Sequence, residues 1–290
     1  MTQIAVLTPD PFDRSYIGRW PEVLERLKAT LESTGATVSP TPWTDHVEEA
    51  LGLAAYDLIL PVITWGYHRD HARWLKACAT WGQAGLPVAN PAQVLRWNSD
   101  KAYLARLADK GVPIPPTRWT DGLTQDQVDA AFAETGAPML IVKPTVSAGA
   151  FRTLRLAPGQ ILTEAPEGAA MIQPYLKSIE TEGETSLLFF GGRFSHAVNK
   201  RPVPGDFRIQ MQFGGLYATV TPDAEAMALA QQVMETIDEP LLYARIDLAR
   251  DEAGAWVLME AELIEPDFYL DHDPQNGAGF AEAVKARLEA

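Results

Sequence analysis

The sequence predicts a protein of mixed α/β and α+β class, and two patterns carry this prediction. Before residue 97, short apolar runs alternate with amphipathic helices, which is typical of a small parallel sheet with crossover helices. Beyond a proline-rich stretch at 112–117 the strands instead pair through short turns, most clearly at Gly191-Gly192, where glycines supply the positive φ angles of a tight hairpin. The second half is therefore expected to form antiparallel sheets.

The N-terminal part begins with the apolar run IAVLT (4–8), and a helix with Leu24, Leu27 and Leu31 on one face follows it. Further strands are predicted at 37–40, 56–63 and 86–90, with a helix that carries Trp74, Cys78 and Trp81 before the last of them. A dinucleotide-binding unit would place a glycine-rich turn after the first strand. The sequence there is TPDPFDR, which argues against a nicotinamide or flavin site.

The second part opens with a helix through Lys101, Leu104 and Leu107, for which Asn98 or Ser99 is the expected cap. Its later elements are a helix with a capping box at Thr124 and Gln127, a strand at 137–144, a loop at 145–153, the diglycine hairpin, a helix from Asp223 and two final strands. We place domain boundaries so that residues 1–97, 98–175 and 176–290 form an N-terminal, a central and a C-terminal unit.

Charge and cysteine content exclude several classes of protein. The chain has 24 basic and 38 acidic residues and a net charge of −14, which argues against binding to nucleic acid or to an anionic membrane. Its single cysteine, Cys78, permits no internal disulfide and no cysteine cluster for zinc. The N-terminus lacks the layout of a signal peptide and no apolar run reaches membrane-spanning length, so we expect a cytoplasmic protein, with homo-oligomers allowed.

The strand WVLMEAELIEP near the C-terminus carries several carboxylates. Strict alternation puts Trp256, Leu258, Glu260 and Glu262 on one face and the apolar side chains of 257, 259, 261 and 263 on the other. Like charges on one face repel each other and are costly to desolvate, so they need compensation by water or by a cation. Glu265 falls outside this alternation, and we expect it at the edge of a substrate site or in a structural hydrogen bond.

The preceding strand YARIDLA supplies the opposite side of the hairpin. If the connection RDEAGA forms the turn, Asp247 faces Glu260 and Arg245 faces Glu262. Carboxylate oxygens are the ligands that Mg²⁺ prefers, so Asp247, Glu260 and Glu262 are candidate metal ligands. A solvated polar sheet face, with Arg245 merely paired to Glu262, remains the alternative.

Lys143 ends the apolar strand MLIVKP, where a lysine needs an anionic partner. The small residues of the following loop TVSAGA leave its backbone N–H groups free to close over phosphates. No GxxxxGK[ST] motif is present, so a P-loop is excluded as the means of holding a nucleotide.

With these residues in order, the chain resembles the ATP-grasp superfamily over essentially its whole length. The resemblance rests on the order of Lys101, Lys143, Gln173-Pro-Tyr-Leu176, Glu180, Lys200, Arg245-x-Asp247 and Glu260-x-Glu262. It implies an N-terminal parallel α/β domain of the pre-ATP-grasp type and two α+β subdomains that clasp ATP. Glu262 departs from the family pattern, because many members have asparagine at this position.

The resemblance also implies roles for these residues. Lys101 and Lys143 would contact the α- and β-phosphates, Ser147 would lie in the loop over the nucleotide, and Lys200 and Arg245 would reach the γ-phosphate and the developing charge. The hinge that holds adenine and ribose would consist of Gln173, Pro174, Tyr175, Leu176 and Glu180. Two Mg²⁺ ions, replaceable by Mn²⁺, would be held by Asp247, Glu260 and Glu262.

Within the superfamily, the stretches 64–75, 90–117, 182–200 and 259–270 are similar to the branch that contains the D-cycloserine-forming cyclo-ligase, and more distantly to glutathione synthetase. This implies an ATP-dependent ligase that joins a carboxylate to a nitrogen through an acylphosphate, with a small amino-acid-like substrate and a place in antibiotic biosynthesis. The sequence TWGY (64–67) departs from the TWDY expected of that branch.

Two other classes stay open, a phosphotransferase on the same fold and a non-catalytic nucleotide sensor. Candidate substrate contacts are Arg208, which would bind a carboxylate with two hydrogen bonds, and Asp13, Arg14 and His196. A surface or strand-face position is the alternative for each of the four.

Overall fold

The computed structural model describes residues 2–16 and 18–290, with Gln212 described by its backbone alone. Twelve strands form three sheets in this part of the chain. They are β1 (Gln3–Thr8), β2 (Thr37–Pro42), β3 (Leu58–Leu60), β4 (Arg118–Thr120), β5 (Leu140–Pro144), β6 (Leu154–Leu156), β7 (Ala170–Pro174), β8 (Glu184–Phe190), β9 (Arg193–Arg201), β10 (Leu216–Val220), β11 (Tyr243–Arg250) and β12 (Trp256–Glu262).

Eight α-helices connect and cover these sheets in the described residues. They are α1 (Trp20–Glu32), α2 (His71–Gln83), α3 (Ala92–Asn98), α4 (Tyr103–Asp109), α5 (Gln125–Thr135), α6 (Ser178–Thr181), α7 (Ala224–Thr236) and α8 (Ala278–Glu289). None of them is both long and apolar enough to cross a lipid bilayer.

The N-terminal sheet has the order β2-β1-β3 and all its strands are parallel, as predicted. Helix α1 begins with a proline in its first turn, and its side chains at the three- and four-residue spacing of a helix face are buried against the sheet: Leu24, Leu27 and Leu31. The strand predicted at 86–90 is reduced to a single parallel bridge between Val88 and Ile59.

The central sheet is antiparallel and has the order β4-β7-β5-β6. Helix α5 covers it, and the predicted capping box is present, because Thr124 accepts a hydrogen bond from the Gln127 backbone while the Gln127 side chain accepts one from the Thr124 N–H. Val128, Leu140 and Ile172 belong to a core that draws all its residues from this unit.

The C-terminal sheet is antiparallel, with the order β10-β9-β8-β11-β12. The predicted hairpin between β8 and β9 is confirmed, with φ values of 56° and 76° at Gly191 and Gly192. Helix α7 begins at the predicted cap, since Asp223 accepts a hydrogen bond from the Ala226 N–H. The predicted combination of one parallel sheet with antiparallel sheets is therefore confirmed.

The helix predicted through Lys101 differs from the structure. Helix α3 ends at Asn98, α4 begins at Tyr103, and the chain turns between them. Asn98 does not cap a helix, because its side chain donates to Ala261 O and accepts from Leu263 N. Tyr103 and Leu104 pack on the C-terminal sheet, although both lie in the range 98–175 assigned to the central unit. The two domain boundaries remain a proposal.

Strict alternation along β12 is wrong, because the strand contains a β-bulge. Asp247 pairs with Glu260 but Leu248 pairs with Leu258, so Met259 is an extra residue on this strand. Leu258 consequently packs in the apolar core with Ala261, whereas Met259 lies on the same side as the carboxylates.

The last helix returns to the first. Helix α8 packs on α1, and Phe280 lies in one apolar cluster with Ile4 of β1, Leu31 of α1 and Tyr243 of β11. The N-terminal sheet and the C-terminal sheet thus share a core.

Candidate active site

A cavity of about 690 Å³ lies where all three units meet. Its walls include Lys143 from β5, Glu184 from β8, Arg245 from β11, Glu260 from β12 and Trp65 from the N-terminal unit. Such a convergence of charged side chains in a concave site is typical of a catalytic centre.

The hairpin of β11 and β12 places the first charges. Arg245 pairs with Glu262 and Asp247 with Glu260, which is the predicted register. The Arg245 guanidinium donates to Asp247 through Nε at 3.0 Å and Nη2 at 2.9 Å, and Nη2 also donates to Glu262. One buried arginine therefore holds two of the three candidate metal ligands.

Lys200, on β9, completes the surroundings of Asp247. Its ammonium lies 3.2 Å from Asp247 Oδ2 and 2.7 Å from Glu184 Oε1, and Ser186 Oγ donates to Asp247 Oδ1 at 2.5 Å. Both carboxylates raise the pKa of Lys200 well above its ordinary value against the opposing effect of burial. Lys200 is thus a permanently charged group in the floor of the cavity.

Lys101 joins the central unit to β12. Its ammonium lies 2.9 Å from Glu260 Oε1 and donates to the backbone oxygen of Ser147 at 2.7 Å, while its N–H donates to Thr145 O. The Lys101 side chain therefore binds both the loop after β5 and strand β12.

Lys143 is a cavity cation whose ammonium has no partner in the described part of the chain. It lines the cavity, and within residues 2–16 and 18–290 its ammonium makes no hydrogen bond or ion pair. Burial lowers its pKa, Lys101 lowers it further, and Glu260 opposes both effects. A desolvated, uncompensated ammonium of this kind is suited to an anionic ligand.

The three carboxylates differ in their electrostatics. Burial raises the pKa of Asp247, but Arg245 and Lys200 outweigh it and hold this pKa below its ordinary range; Lys101 and Lys143 do the same for Glu260. Glu262 is different, because burial together with Glu260 and Asp247 raises its pKa to about 7 in spite of Arg245. Glu262 is therefore the least compensated of the three.

The carboxylate oxygens of these residues fit a hard divalent cation, because the three side chains project from neighbouring strands and Arg245 compensates Glu262 only in part. In the described residues each of the three is turned toward a basic side chain, and no three acidic, histidine or cysteine groups meet in a preformed metal site. The donor chemistry supports a metal that enters together with phosphate oxygens.

The predicted hinge follows β7. Gln173, Pro174, Tyr175 and Leu176 all line the cavity. The Gln173 amide donates to Thr117, and the Tyr175 N–H donates to Met139 O at 2.9 Å, which fixes the backbone of the hinge. Glu180 lies just outside it, accepting a hydrogen bond from the Tyr175 hydroxyl at 2.8 Å.

The loop after β5 closes one side of the cavity. Ser147 and Phe151 line it, and the Phe151 ring lies 5.4 Å from the ring of His68 in the N-terminal unit. Ala150 and Arg152 have φ values of 63° and 53°, a conformation that non-glycine residues rarely adopt. His68 Nδ1 is buried without a hydrogen-bond partner in the described structure.

The N-terminal unit supplies an aromatic wall. Tyr16 and Trp65 contact each other with ring centroids 5.6 Å apart, and Arg69 lies over the Tyr16 ring. Asp13 pairs with Arg69 at 2.9 Å but is not itself a cavity residue. A side chain at Gly66 would begin 3.3 Å from Tyr16 and 3.6 Å from the Asp13 carboxylate, so the TWGY variant leaves room for both.

The other candidate substrate residues are placed differently. Arg208 lines the cavity, but its guanidinium already forms two hydrogen bonds with Asp206. Arg14 does not line the cavity. His196 is buried outside it, where its Nε2 is 2.9 Å from Phe268 O, so the structure gives this ring a role in holding the turn after β12.

Sequence reasoning missed several residues of the cavity. Glu184 pairs with Lys200 across the β8–β9 hairpin, but a bulge in that hairpin shifts the register, so counting from the diglycine does not find the pair. Tyr269 lies 5.3 Å from the Arg245 guanidinium and has a φ of 47°. Glu265 is not among the missed residues, because it was expected at the edge of a substrate site or in a structural hydrogen bond; it lines the cavity and makes no hydrogen bond in the described residues. No local signal marks the Tyr269 ring, because its contacts with Arg245 and Tyr217 join residues that are distant in the sequence.

The comparisons with known proteins agree with this geometry. Residues 4–90 match the family model of the D-cycloserine synthetase DcsG N-terminal domain. The chain is 29% identical to the cycloserine biosynthesis protein DcsG of Streptomyces lavendulae over 292 residues, covering 93% of each protein. It is 26% identical to glutathione synthetase of Prochlorococcus marinus (strain MIT 9313) over 216 residues, covering 71% of this chain and 66% of the relative.

Solved structures show the same architecture. The crystal structure of D-cycloserine synthetase DcsG has a TM-score of 0.82 at 23% identity and covers 99% of both chains. D-Alanine–D-alanine ligase of Bacillus anthracis complexed with ATP has a TM-score of 0.70 at 14% identity, covering 100% of this chain and 99% of the ligase. The chain has the ATP-grasp fold. The expected enzyme class, an ATP-dependent ligase that forms C–N bonds, is confirmed, as is the resemblance to the D-cycloserine branch.

In this ATP-grasp ligase the residues that the resemblance assigned to phosphate and metal lie around one cavity. The roles of individual residues remain predictions.

Proposed function

We propose that this ligase joins a carboxylate to a nitrogen nucleophile on a small amino-acid-like substrate through an acylphosphate. The observation that carries the proposal is the convergence of Lys143, Lys200 and Arg245 with three carboxylates in one cavity. Phosphoryl transfer needs positioning and neutralisation of charge more than a covalent nucleophile, and these groups supply both.

In the first step a substrate carboxylate oxygen attacks the γ-phosphorus of ATP. A new O–P bond forms, the bond from this phosphorus to the bridging oxygen breaks, and ADP leaves. Lys200 and Arg245 stabilise the negative charge on the transferred group, while Lys101 and Lys143 hold the α- and β-phosphates. Direct amide formation fails because a carboxylate is a poor electrophile, and the acylphosphate provides a leaving group.

In the second step the nitrogen lone pair attacks the acyl carbon, phosphate leaves and the nitrogen loses a proton. Gln173 to Leu176 would orient adenine, Ser147 would lie over the nucleotide and Glu180 would bind the ribose. Asp247, Glu260 and Glu262 would hold two Mg²⁺ ions, which Mn²⁺ would replace. Bound Mg²⁺ neutralises phosphate charge and orients the phosphate oxygens.

The similarity to DcsG favours an intramolecular reaction, in which O-ureido-serine closes to a ring as in antibiotic biosynthesis. The glutathione synthetase similarity favours the alternative of an intermolecular amide ligase.

The test measures ADP and phosphate release with a panel of carboxylates that includes O-ureido-D-serine, each with and without added amines. An intramolecular ligase releases both products from O-ureido-D-serine alone, and an intermolecular ligase requires the amine. ADP release with a stable phosphorylated product would instead identify a phosphotransferase, and no carboxylate-dependent ADP release at all would refute the proposal.

A further inference from the structure

Glu265, in the stretch after β12, is an acidic residue of the cavity, and no lysine or arginine of the described residues forms an ion pair with it. The carboxylates of Asp247, Glu260, Glu262 and Glu184 all form ion pairs with lysine or arginine. The Glu265 carboxylate lines the same cavity, and it makes no hydrogen bond or ion pair in residues 2–16 and 18–290. Because a desolvated, unpaired carboxylate is costly, the empty cavity favours the protonated form of Glu265, and a cationic ligand would stabilise the charged form.

Glu265 belongs to the side of the cavity formed by the N-terminal unit. Tyr16 and Tyr67 line the same cavity; burial raises their pKa values, and the charge of Glu265 adds to this effect. Burial also raises the pKa of Glu265 itself, and Glu262 adds to this effect. In such a poorly solvated environment a pair between opposite charges is much stronger than in water.

The cations that act on Glu265 are paired with other carboxylates. Lys101 and Arg245 both act on it electrostatically, but Lys101 pairs with Glu260. Arg245 donates its hydrogen bonds to Asp247 and Glu262. Neither forms an ion pair with Glu265, which leaves its carboxylate available to a cationic group of a ligand.

The arrangement of Arg245 and Glu265 selects the class of ligand. The two opposite charges face one cavity, and an α-amino acid carries its carboxylate and its ammonium group on a single carbon. We propose that Glu265 binds the ammonium group of an α-amino acid whose carboxylate faces Arg245 and Lys200. This inference rests on the proposed ligase function and adds to it a residue, Glu265, that would distinguish an amino acid from the acid that lacks its ammonium group.

The experiment compares ligands that differ only at the ammonium group. Isothermal titration calorimetry in the presence of Mg²⁺ and a non-hydrolysable ATP analogue measures Kd for O-ureido-D-serine, D-serine and L-serine, and for D- and L-glycerate, which have a hydroxyl in place of the ammonium. We expect the wild type to bind at least one of the amino acids, and to prefer serine of one configuration to the matching glycerate by about tenfold or more.

Two variants test the residue. Glu265→Gln keeps the shape and removes the charge, and we expect amino acid affinity to fall about 10- to 100-fold while glycerate affinity changes less than about threefold. Asp267→Asn is the matched control, because this exposed carboxylate also lines the cavity and its acceptor for the Tyr269 N–H is retained. It should leave the preference for amino acids unchanged.

An unchanged preference in Glu265→Gln, an equal loss for glycerate, or failure of every amino acid to bind the wild type would each overturn the inference. ADP release separates these results from failure of the ligase proposal. If the wild type releases ADP in a carboxylate-dependent way but Glu265→Gln keeps the preference, the ligase proposal stands and the ammonium site is refuted. If Glu265→Gln loses the preference but the wild type releases no ADP, the ammonium site stands and the ligase proposal is refuted.

Discussion

Asn90 and Leu263 are joined by a buried hydrogen bond, in which the Asn90 amide donates to the Leu263 carbonyl oxygen at 2.8 Å. The same amide group donates to Tyr243 O and accepts from the Leu242 N–H at 2.7 Å. One side chain of the N-terminal unit thus fixes the start of β11 and the end of β12, between which Arg245, Asp247, Glu260 and Glu262 lie.

Replacement of Asn90 by alanine should lower the free energy of unfolding by roughly 2–4 kcal/mol, because it leaves three buried backbone groups without partners. Urea denaturation measures this change. Gln232→Ala, which removes an exposed hydrogen bond to Gly111 O, is the control and should cost less than about 0.5 kcal/mol. Equal stabilities of the two variants would contradict this account of Asn90.

Replacement of Arg245 by glutamine should lower kcat about 10²- to 10⁴-fold and change the KM for ATP much less, because its charge is needed mainly where negative charge develops. Steady-state ADP release gives both constants. Arg250→Gln, on the same strand but paired with Asp223 outside the cavity, should leave kcat within about twofold. Similar losses in kcat and in ATP affinity for Arg245→Gln would refute a transition-state role.

Lys143→Met should separate stability from binding. The ammonium is desolvated and unpaired, so we expect the nucleotide-free protein to keep its stability or to gain up to about 1 kcal/mol, while Kd for ATP rises about tenfold or more. Thermal unfolding and fluorescent-nucleotide titration provide the two values. Lys285→Met, at an exposed position of α8, should alter neither, and a large loss of stability in Lys143→Met would show that its charge is already compensated.

His68 predicts a pH dependence of stability. Burial lowers its pKa from 6.5 to about 4, and Arg69 and Lys101 contribute to the shift. The unfolded chain therefore binds this proton more readily than the folded protein, and stability is lost as pH falls below about 6.5. Between pH 7.5 and pH 5 the free energy of unfolding should fall further in the wild type than in His68→Gln, by roughly 1–2 kcal/mol. Parallel urea titrations at the two pH values test this, and identical losses would contradict it.

The hairpin register of the site was predictable from sequence, because the polar connection 250–255 and the charges on each strand fix which residues face each other. The capping box of α5 was predictable for the same reason, since Thr124 and Gln127 interact locally. The bulge at Met259 was not, because it depends on how Leu258 packs in a core formed with elements distant in the sequence rather than on any local preference.

The partners of the charged residues were also beyond local reasoning. Lys101 reaches Glu260 across 159 positions of sequence, and Lys200 reaches both Glu184 and Asp247. The sequence supplied the correct types of residue, but it did not show that Arg208 would pair with Asp206 or that His196 would be buried under Phe268. These outcomes depend on how loops fold back on the sheets.

The shared core of the N-terminal and C-terminal sheets has a consequence for the order in which the molecule opens. Elements that share buried apolar contacts unfold together, so the segments linked through α1 and α8 should form one cooperative unit. The sheet of residues 118–174, with a core of its own, should form a second and less protected one. Amide hydrogen exchange would then divide the three sheets into two protection classes, and the loop with Ser147 would belong to the class that opens more easily.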